Sequence, residues 1–244
     1  MTLRSAYERW QDGLDKAARD RKWNAYDCEI RMTVDEFNRH LSRTPGFKAL
    51  DWKLIKAMLW TETGAGNPEW KTKPMQIGVA GDPGLKALLS GTEGGELILP
   101  SAWQARLSFG SVTTIPSHNI RAGVAYLLMR MAYFEYRTVL SPNAATIEEV
   151  KVSPGDSLAK IARKHGSTPD ILKRLNDGVS TLQVGQTIKF QKGRVERVIT
   201  GWRPISTTMI AQRYNGGGDP NYGKKLDHAL TLITKGGNDQ CDPH

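Results

Sequence analysis

The rest of the chain is organised around one run of residues, Asp51-Trp-Lys-Leu-Ile-Lys-Ala-Met-Leu-Trp-Thr-Glu-Thr-Gly64. Positions i, i+3, i+4 and i+7 of this run hold Ile55, Met58, Leu59 and Glu62. The spacing predicts a helix whose apolar face ends in a carboxyl group, and Gly64 favours a helix stop directly after it. Partial burial and the carboxyl-terminal end of the helix dipole both disfavour a carboxylate, so we expect a raised pKa for Glu62.

A carboxylic acid that keeps its proton near neutral pH can protonate a leaving oxygen, as glycosidic cleavage requires. Glu62 is therefore a candidate general acid. On this stretch alone, the alternative is a solvated side chain at a frayed helix end, since Glu is rarely buried.

The composition is that of an ordinary globular protein with a strongly basic balance. The chain has 244 residues, 39% of them hydrophobic and 24% charged, with a formal net charge of +9. This length allows one large domain or two small ones. The positive charge favours anionic partners such as nucleic acid, anionic lipid or the acidic polymers of a bacterial cell wall. Because Lys and Arg are scattered and no nucleic-acid motif accompanies them, we predict no nucleic-acid partner.

The two cysteines, Cys28 and Cys241, could pair, but they are too few to indicate an oxidising compartment. No spacing of Cys or His predicts a metal site, and no cofactor is implied. No apolar run is long enough to span a membrane. The start, Met1-Thr-Leu-Arg-Ser-Ala-Tyr-Glu-Arg-Trp10, is too charged for a signal peptide, so we expect synthesis in the cytoplasm and export by another route.

Helical periodicity predominates over the rest of the chain. It predicts helices at residues 3–22, Thr33–Leu41, His118–Thr138 with Phe134 in its apolar stripe, Ile205–Arg213 and Tyr222–Thr234. Residues 64–116 are rich in Gly and Pro and are predicted to be loop-rich, and any helix there, such as Leu85–Leu89, is expected to be short. The expected fold class is mostly α.

Two loop motifs carry polar groups that suit ligand binding. Gln76 is a neutral donor and acceptor between apolar Met75 and Ile77, which suits a hydrogen bond to a sugar or to a catalytic carboxyl group. The alternative is a short buried strand with an outward Gln. Tyr214 and Asn215 precede three glycines, where the backbone can approach a ligand closely, although a plain glycine-rich turn is equally consistent.

A segment of different character follows the linker at residues 141–146. It predicts a strand at Glu148–Val152, helices at Ser157–Lys164 and Thr168–Leu175, and a second strand ending at Phe190. This βααβ unit resembles the LysM module, which binds the N-acetylglucosamine-containing backbone of peptidoglycan or chitin. The matching residues include Gly155-Asp156-Ser157-Leu158, Ile161-Ala162, Ile171, Leu175-Asn176 and Leu182-Gln-Val184-Gly-Gln186.

In that family, sugar binds between the first strand–helix turn and the second helix–strand turn. The resemblance therefore implies a glycan-binding groove formed by Gly155, Asp156, Ser157, Leu158, Asn176, Leu182 and Val184.

Four motifs outside this unit resemble the lysozyme-like lytic transglycosylase superfamily, which includes goose-type lysozymes. They are Trp60-Thr-Glu-Thr-Gly64, Pro74-Met-Gln-Ile77, Asn119-Ile120 with Gly123 and Tyr126-Leu127, and Tyr214-Asn-Gly216. The resemblance implies a lysozyme-like catalytic domain made of residues 1–146 and 193–244, interrupted by the LysM module at 147–192. Departures from the family pattern are Thr63 for Ser, Pro74 for Leu and Arg213 for Ala, and none removes a group that the chemistry needs.

The family's activity is cleavage of the β-1,4 bond between N-acetylmuramic acid and N-acetylglucosamine. By resemblance, Glu62 is the general acid, Gln76, Tyr214 and Asn215 line the cleft, and Met75 and Ile77 shape its wall. Peptidoglycan glycan strands are the expected partner. An antibacterial effector passed through a secretion machine, with an immunity protein, fits this picture, and so does a phage lysin or tail enzyme.

Hydrolysis with inversion needs a second carboxylate to activate water, whereas a transglycosylase uses the muramic acid 6-hydroxyl as nucleophile. The candidates after Glu62 are Glu69, Asp82, Glu93 and Glu96. Asp82, in Gly-Asp-Pro-Gly, is the best of them, but Asp also suits turns. We therefore predict a lytic transglycosylase, with a muramidase as the alternative. A non-catalytic cell-wall-binding protein is the alternative of another class.

Overall fold

A computed structural model describes residues 4–79, 81–142, 144–236 and Cys241. The protein is mostly α, as predicted, with two small two-stranded sheets. Its chain divides into two units. The helical unit comprises residues 1–133 and 199–244, and the inserted unit comprises residues 134–198.

The helices are α1 Ala6–Ala17, α2 Asp27–Leu41, α3 Trp52–Glu62, α4 Pro83–Ser90, α5 Gly95–Ile98, α6 Ser101–Gln104, α7 Phe109–Thr114, α8 Pro116–Met131, α9 Leu158–Lys164, α10 Pro169–Leu175, α11 Thr207–Arg213 and α12 Tyr222–Gly236. The strands are β1 Ala132–Leu140, β2 Glu148–Lys151, β3 Thr187–Phe190 and β4 Gly193–Trp202. Single 3-10 turns lie at Arg21–Asn24 and Pro68–Lys71.

Helix α3 forms the centre of the helical unit. Asp51 caps its start by accepting a hydrogen bond from the amide of Lys53 at 2.9 Å. The predicted face is confirmed, because Ile55, Met58 and Leu59 are fully buried. The helix packs against α2 and α12, and it ends at Glu62.

The long helix α8 packs against α2, α4, α5, α7 and α11. The predicted extension of this helix to Thr138 is wrong, and so is the placement of Phe134 in its core stripe. The helix ends at Met131, and the aromatic and β-branched residues of Ala132–Leu140 form β1, which pairs with β4. The partner strand lies some sixty residues further along the chain, so local periodicity does not indicate it.

The amino-terminal helices differ from the predicted bounds. The first helix is limited to Ala6–Ala17, and a 3-10 turn follows at Arg21–Asn24. The second helix begins at Asp27 rather than Thr33, because Asp27 and Glu29 form its acidic first turn, whereas Thr33 is buried inside it. A disulfide bond joins Cys28, next to Asp27, to Cys241, which answers the question that the sequence left open.

The region predicted to be loop-rich contains the short helices α4, α5, α6 and α7 between residues 83 and 114. Helix α4 includes the short helix expected at Leu85–Leu89, whereas the other three were not predicted. These helices are short, at most eight residues long, and their periodicity is correspondingly weak. Among the described residues, none of the helices combines the length and the apolar character needed to cross a membrane.

The inserted unit contains the predicted βααβ arrangement. Strands β2 and β3 pair antiparallel, with Glu148 opposite Phe190 and Lys151 opposite Thr187. Helices α9 and α10 pack together, and α10 also packs on β3. The core consists of Val152, Leu158, Ile161, Ala162, Leu172, Ile188 and Phe190. The compact unit includes, besides the segment 147–192 that was predicted as the LysM module, most of β1 and β4.

Candidate functional site

An open cleft of about 440 Å³ lies at the end of α3. All six site residues that the sequence predicted in the helical unit line it, namely Glu62, Met75, Gln76, Ile77, Tyr214 and Asn215. Val79, Gly81, Asp82 and Tyr126 complete the lining. Segments that lie far apart in the sequence therefore meet around one carboxyl group.

A hydrogen bond from Tyr222 holds the carboxyl group of Glu62 in this cleft. The hydroxyl of Tyr222 donates to its Oε1 at 2.5 Å. Burial raises the pKa of Glu62 from its ordinary value of 4.5 to about 7, while the Tyr222 hydrogen bond and the charge of Lys225 act in the opposite direction. Glu62 therefore keeps its proton at a higher pH than an ordinary carboxyl group does.

Tyr222 was not identified as a site residue from the sequence. It is the first residue of α12, is only 3% exposed, and faces α3 because the two helices pack together. Burial and the neighbouring charge of Glu62 hold the pKa of the Tyr222 hydroxyl well above its ordinary value. The hydroxyl therefore stays protonated and remains a donor. A single Tyr at a predicted helix start carries no distinctive signal.

The loop Met75–Ile77 is fixed by a buried amide on α8. Asn119 accepts from the amide of Met75 at 2.8 Å and donates to the carbonyl of Ile77 at 3.0 Å. Close packing is possible because Gly123 has no side chain, and a Cβ there would lie 2.6 Å from the Cβ of Met75. Between the two anchors, Gln76 takes a left-handed conformation with φ of 53°.

The side chain of Gln76 binds a carboxylate other than the predicted one. Its Nε2 donates to Oε2 of Glu69 at 2.8 Å and to the hydroxyl of Thr63 at 3.2 Å. The Thr63 hydroxyl lies 2.8 Å from the carbonyl of Pro74, to which it donates. Thr63 thus connects the end of α3 to the loop, which gives its hydroxyl a structural role.

Tyr214 and Asn215 close the cleft from the other side. The Tyr214 hydroxyl donates to the carbonyl of Met75 at 3.0 Å, and its ring lies edge-on to Tyr126 with 5.5 Å between centroids. Asn215 accepts from the amide of Asp219 at 2.9 Å, so it also closes the glycine-rich turn. Both interpretations of this motif, cleft lining and turn, therefore apply.

Asp82 also lines the cleft, but both of its oxygens are engaged. Oδ2 accepts from the amide of Gly78 at 2.8 Å, and Oδ1 accepts from the amide of Gly84 at 2.7 Å, which caps α4. This is the turn-forming role that the sequence favoured for it.

The other three carboxylates, Glu69, Glu93 and Glu96, are not among the cleft-lining residues. Glu69 pairs with Lys73 at 2.6 Å, and this contact and the Gln76 hydrogen bond lower the pKa of Glu69. Glu93 pairs with Arg130, and Glu96 lies in the first turn of α5. In the described part of the chain, no group of three or more His, Cys, Asp or Glu residues is arranged to hold a metal ion.

In the inserted unit, the two predicted sugar-binding turns lie side by side. The amide of Gly185 donates to the carbonyl of Val152 at 2.8 Å, and the amide of Val152 donates to the carbonyl of Gln186 at 2.9 Å. Asp156 stabilises the first turn by accepting from the amide of Ser153, and Ser157 caps α9.

The predicted groove residues of this unit have different environments. Val184 is 68% exposed and Gly155 is exposed with φ of 80°, whereas Leu158 is buried in the core. Leu182 packs against that core. Asn176 connects α10 to β3, because it donates to the carbonyl of Lys189 at 2.8 Å and accepts from the Lys189 amide at 2.9 Å. Of these four side chains, that of Val184 is therefore the most accessible to a ligand, beside the bare backbone of Gly155.

Residues 150–190 match the LysM domain family. The match covers both turns and both helices of the inserted unit, and it supports the predicted peptidoglycan-binding module. Comparison of the chain with curated proteins and with solved structures finds no match. The chain thus contains a LysM domain, and this domain suggests that the protein binds peptidoglycan.

Proposed function

We propose that the helical unit cleaves the glycan strands of peptidoglycan at the β-1,4 bond between N-acetylmuramic acid and N-acetylglucosamine, with Glu62 as the general acid. The observation that carries the proposal is a carboxyl group with a pKa of about 7 in an open cleft. A protonated carboxylic acid is what the leaving glycosidic oxygen requires. The LysM domain supports peptidoglycan as the polymer.

In the first step, Glu62 gives its proton to the glycosidic oxygen, the bond to the anomeric carbon breaks, and the side chain becomes a carboxylate. Tyr222 fixes the orientation of the carboxyl group and stabilises its charged form through the hydrogen bond to Oε1. In the second step, the muramic acid 6-hydroxyl attacks the anomeric carbon and returns its proton to Glu62. The product carries a 1,6-anhydro ring, and the enzyme is regenerated.

Lytic transglycosylation is favoured over hydrolysis by the environment of Asp82. Hydrolysis with inversion needs a second carboxylate that is free to take a proton from water. Asp82 shares the cleft with Glu62, which keeps a muramidase as the second candidate. Each of its two oxygens is fixed by a backbone amide in a turn and a helix cap, which gives Asp82 a structural role. One carboxyl group acting first as acid and then as base fits this arrangement better.

The proposed place of action is the bacterial cell wall, reached as a secreted antibacterial effector or a phage lysin. A wall-binding protein without activity is the alternative that an experiment must separate. The test is release of soluble fragments from purified sacculi by the native protein and by Glu62→Gln, in which the amide is nearly isosteric but cannot donate an acid proton.

Glu93→Gln is the matched control for this test, since Glu93 is a surface carboxylate outside the cleft. We expect native and Glu93→Gln proteins to release fragments, and we expect release by folded Glu62→Gln to fall at least about a hundredfold. Equal release by folded Glu62→Gln would exclude this general acid, and no release by the native protein would favour the wall-binding alternative.

A further inference from the structure

A second hollow, of about 320 Å³, is lined in part by residues of the last turn of α3, which carries Glu62. Its lining includes Trp10, Trp23, Trp60, Thr61, Thr63 and Asn67. Trp10 comes from α1 and Trp23 from the 3-10 turn after it, so this hollow is built partly by the amino-terminal segment. The resemblance to lytic transglycosylases covers the cleft motifs but leaves that segment unexplained.

The hollow and the cleft are neighbours along the end of α3. Thr61 and Thr63, which line the hollow, directly precede and follow Glu62, which lines the cleft. The hydroxyl of Thr63 lies 3.2 Å from Nε2 of Gln76, a second cleft residue. The last turn of α3 therefore contributes to both sites, and a polymer bound in both would cross this turn.

Trp10 is held in position by its neighbours rather than by burial. Its ring stacks on Tyr7 with 6.2 Å between centroids and meets His228 edge-on at 6.1 Å. The ammonium group of Lys225, which pairs with Asp219 at 2.6 Å, lies 5.4 Å from the centroid of the Trp10 ring. Such a ring loses little conformational freedom when a ligand packs on it.

The chemistry of the lining matches a sugar ring. The CH face of a pyranose is apolar and packs on indole, while its hydroxyl and acetamido groups need hydrogen-bonding partners. Asn67 accepts from the amide of Glu69 through its oxygen, which leaves its NH₂ group for a ligand. Thr61 donates its hydroxyl proton to the carbonyl of Ala57 and keeps acceptor capacity on the oxygen.

We propose that this hollow is a saccharide subsite, in which an N-acetylhexosamine ring of the same glycan strand packs against Trp10 while the strand occupies the Glu62 cleft. The proposal rests on the proposed function for the identity of the polymer. It assigns the amino-terminal segment a role in substrate length preference, because only a strand long enough to pass Glu62 reaches the indole ring.

The experiment measures binding to the full chain carrying Glu62→Gln, so that no turnover is needed. The ligands are β-1,4-linked N-acetylglucosamine trimer and hexamer, and the signal is tryptophan fluorescence. All seven tryptophans lie outside residues 134–198, so binding to the LysM domain produces no direct signal. The quantity compared is the ratio of trimer to hexamer dissociation constants.

Two variants test the hollow in opposite ways. Trp10→Ala removes the indole ring on which the sugar is proposed to pack. Gly13→Leu fills the hollow, since Gly13 lines it and a Cβ at this position meets nothing within 4 Å. Leu is also a better helix former than Gly, so Gly13→Leu is expected to keep or raise the melting temperature. The control is Phe109→Ala, which removes an aromatic side chain that is 51% exposed elsewhere in the helical unit.

We expect both hollow variants to reduce the trimer-to-hexamer ratio about tenfold and Phe109→Ala to leave it unchanged. An unchanged ratio in folded Gly13→Leu overturns the subsite, even if Trp10→Ala fails to fold. The subsite is also overturned if the protein with an unaltered hollow binds the trimer and the hexamer equally well. Failure of the proposed function has a different signature, because sacculi then stay intact while the binding ratio still depends on Trp10 and Gly13.

Discussion

The pair Glu62 and Tyr222 determines the chemistry of the cleft. The position of Glu62 on an apolar helix face was predictable, because Ile55, Met58 and Leu59 repeat with helical spacing over one short run. Its partner was not predictable, since Tyr222 lies 160 residues away and only the packing of α12 on α3 brings the two together. A raised pKa was expected from partial burial and from the helix end, and burial is its largest cause in the structure.

Burial of Glu62 makes the stability of the protein dependent on pH. The folded state binds the Glu62 proton more tightly than the unfolded state, because the pKa is about 7 in the fold and 4.5 in its ordinary environment. The free energy of unfolding therefore falls as pH rises from about 4.5 to about 7, by up to about 3 kcal/mol. Glu62→Gln removes this dependence.

We expect Glu62→Gln to match the native protein in stability at pH 4 and to exceed it at pH 8 by about 2–3 kcal/mol. Urea unfolding at the two pH values measures the difference. If Glu62→Gln exceeded the native protein in unfolding free energy by more at pH 4 than at pH 8, a raised pKa of Glu62 would be contradicted.

Tyr222→Phe tests the hydrogen bond to Glu62 without removing the aromatic ring. That hydrogen bond lowers the pKa of Glu62, so its loss is expected to move the alkaline limb of the pH–rate profile to higher pH. Turnover near neutral pH is expected to fall about tenfold, since the carboxyl group loses its orienting partner. Tyr26→Phe is the control, because the Tyr26 hydroxyl donates to the carbonyl of Trp70 at 2.8 Å, outside the cleft. An alkaline limb that stays in place would show that Tyr222 only fills space.

At the level of the elements, the Met75–Ile77 loop and helix α8 form one structural unit. The order of the motifs was visible in the sequence, but the contacts that join them in space were not. Asn119 and Gly123 face the loop from one side of α8, where the first supplies hydrogen bonds and the second supplies space. The same helix shows where periodicity fails, since its predicted continuation to Thr138 is strand β1, whose partner β4 follows the inserted LysM segment.

Gly123→Ala is expected to displace the loop, because the new Cβ would lie 2.6 Å from that of Met75. We expect a loss of about 1–3 kcal/mol in unfolding free energy and a larger relative loss of sacculus cleavage. Gly110→Ala in α7 is the matched control, since its Cβ meets nothing within 4 Å. Cleavage per folded molecule that is equal in the two variants would show that the loop does not position the site.

The chain as a whole combines a LysM domain with a helical unit whose two segments lie before and after it. The LysM domain was recognisable because its turns, helices and strands follow one another within about 45 residues, so every contact is local. The flanking strands of the inserted unit were not recognisable from the sequence, because β1 and β4 pair across the whole insertion.

A fragment of residues 141–193 is expected to fold alone and to sediment with insoluble peptidoglycan. Its core is self-contained, and its ends are tied by a hydrogen bond from the amide of Ser141 to the carbonyl of Lys192 at 3.0 Å. Val184→Asp, at an exposed position beside the predicted groove, should weaken sedimentation without unfolding the fragment. A folded native fragment that stays in the supernatant would mean that this module does not bind glycan by itself.

Mass spectrometry of the fragments released from purified sacculi tests the proposed chemistry most directly. Cleavage by Glu62 alone, first as acid and then as base, predicts muropeptides that end in a 1,6-anhydro ring and therefore lack one water relative to hydrolytic products. Fragments that all carry a reducing end would contradict it and would make Asp82→Asn the next variant to measure.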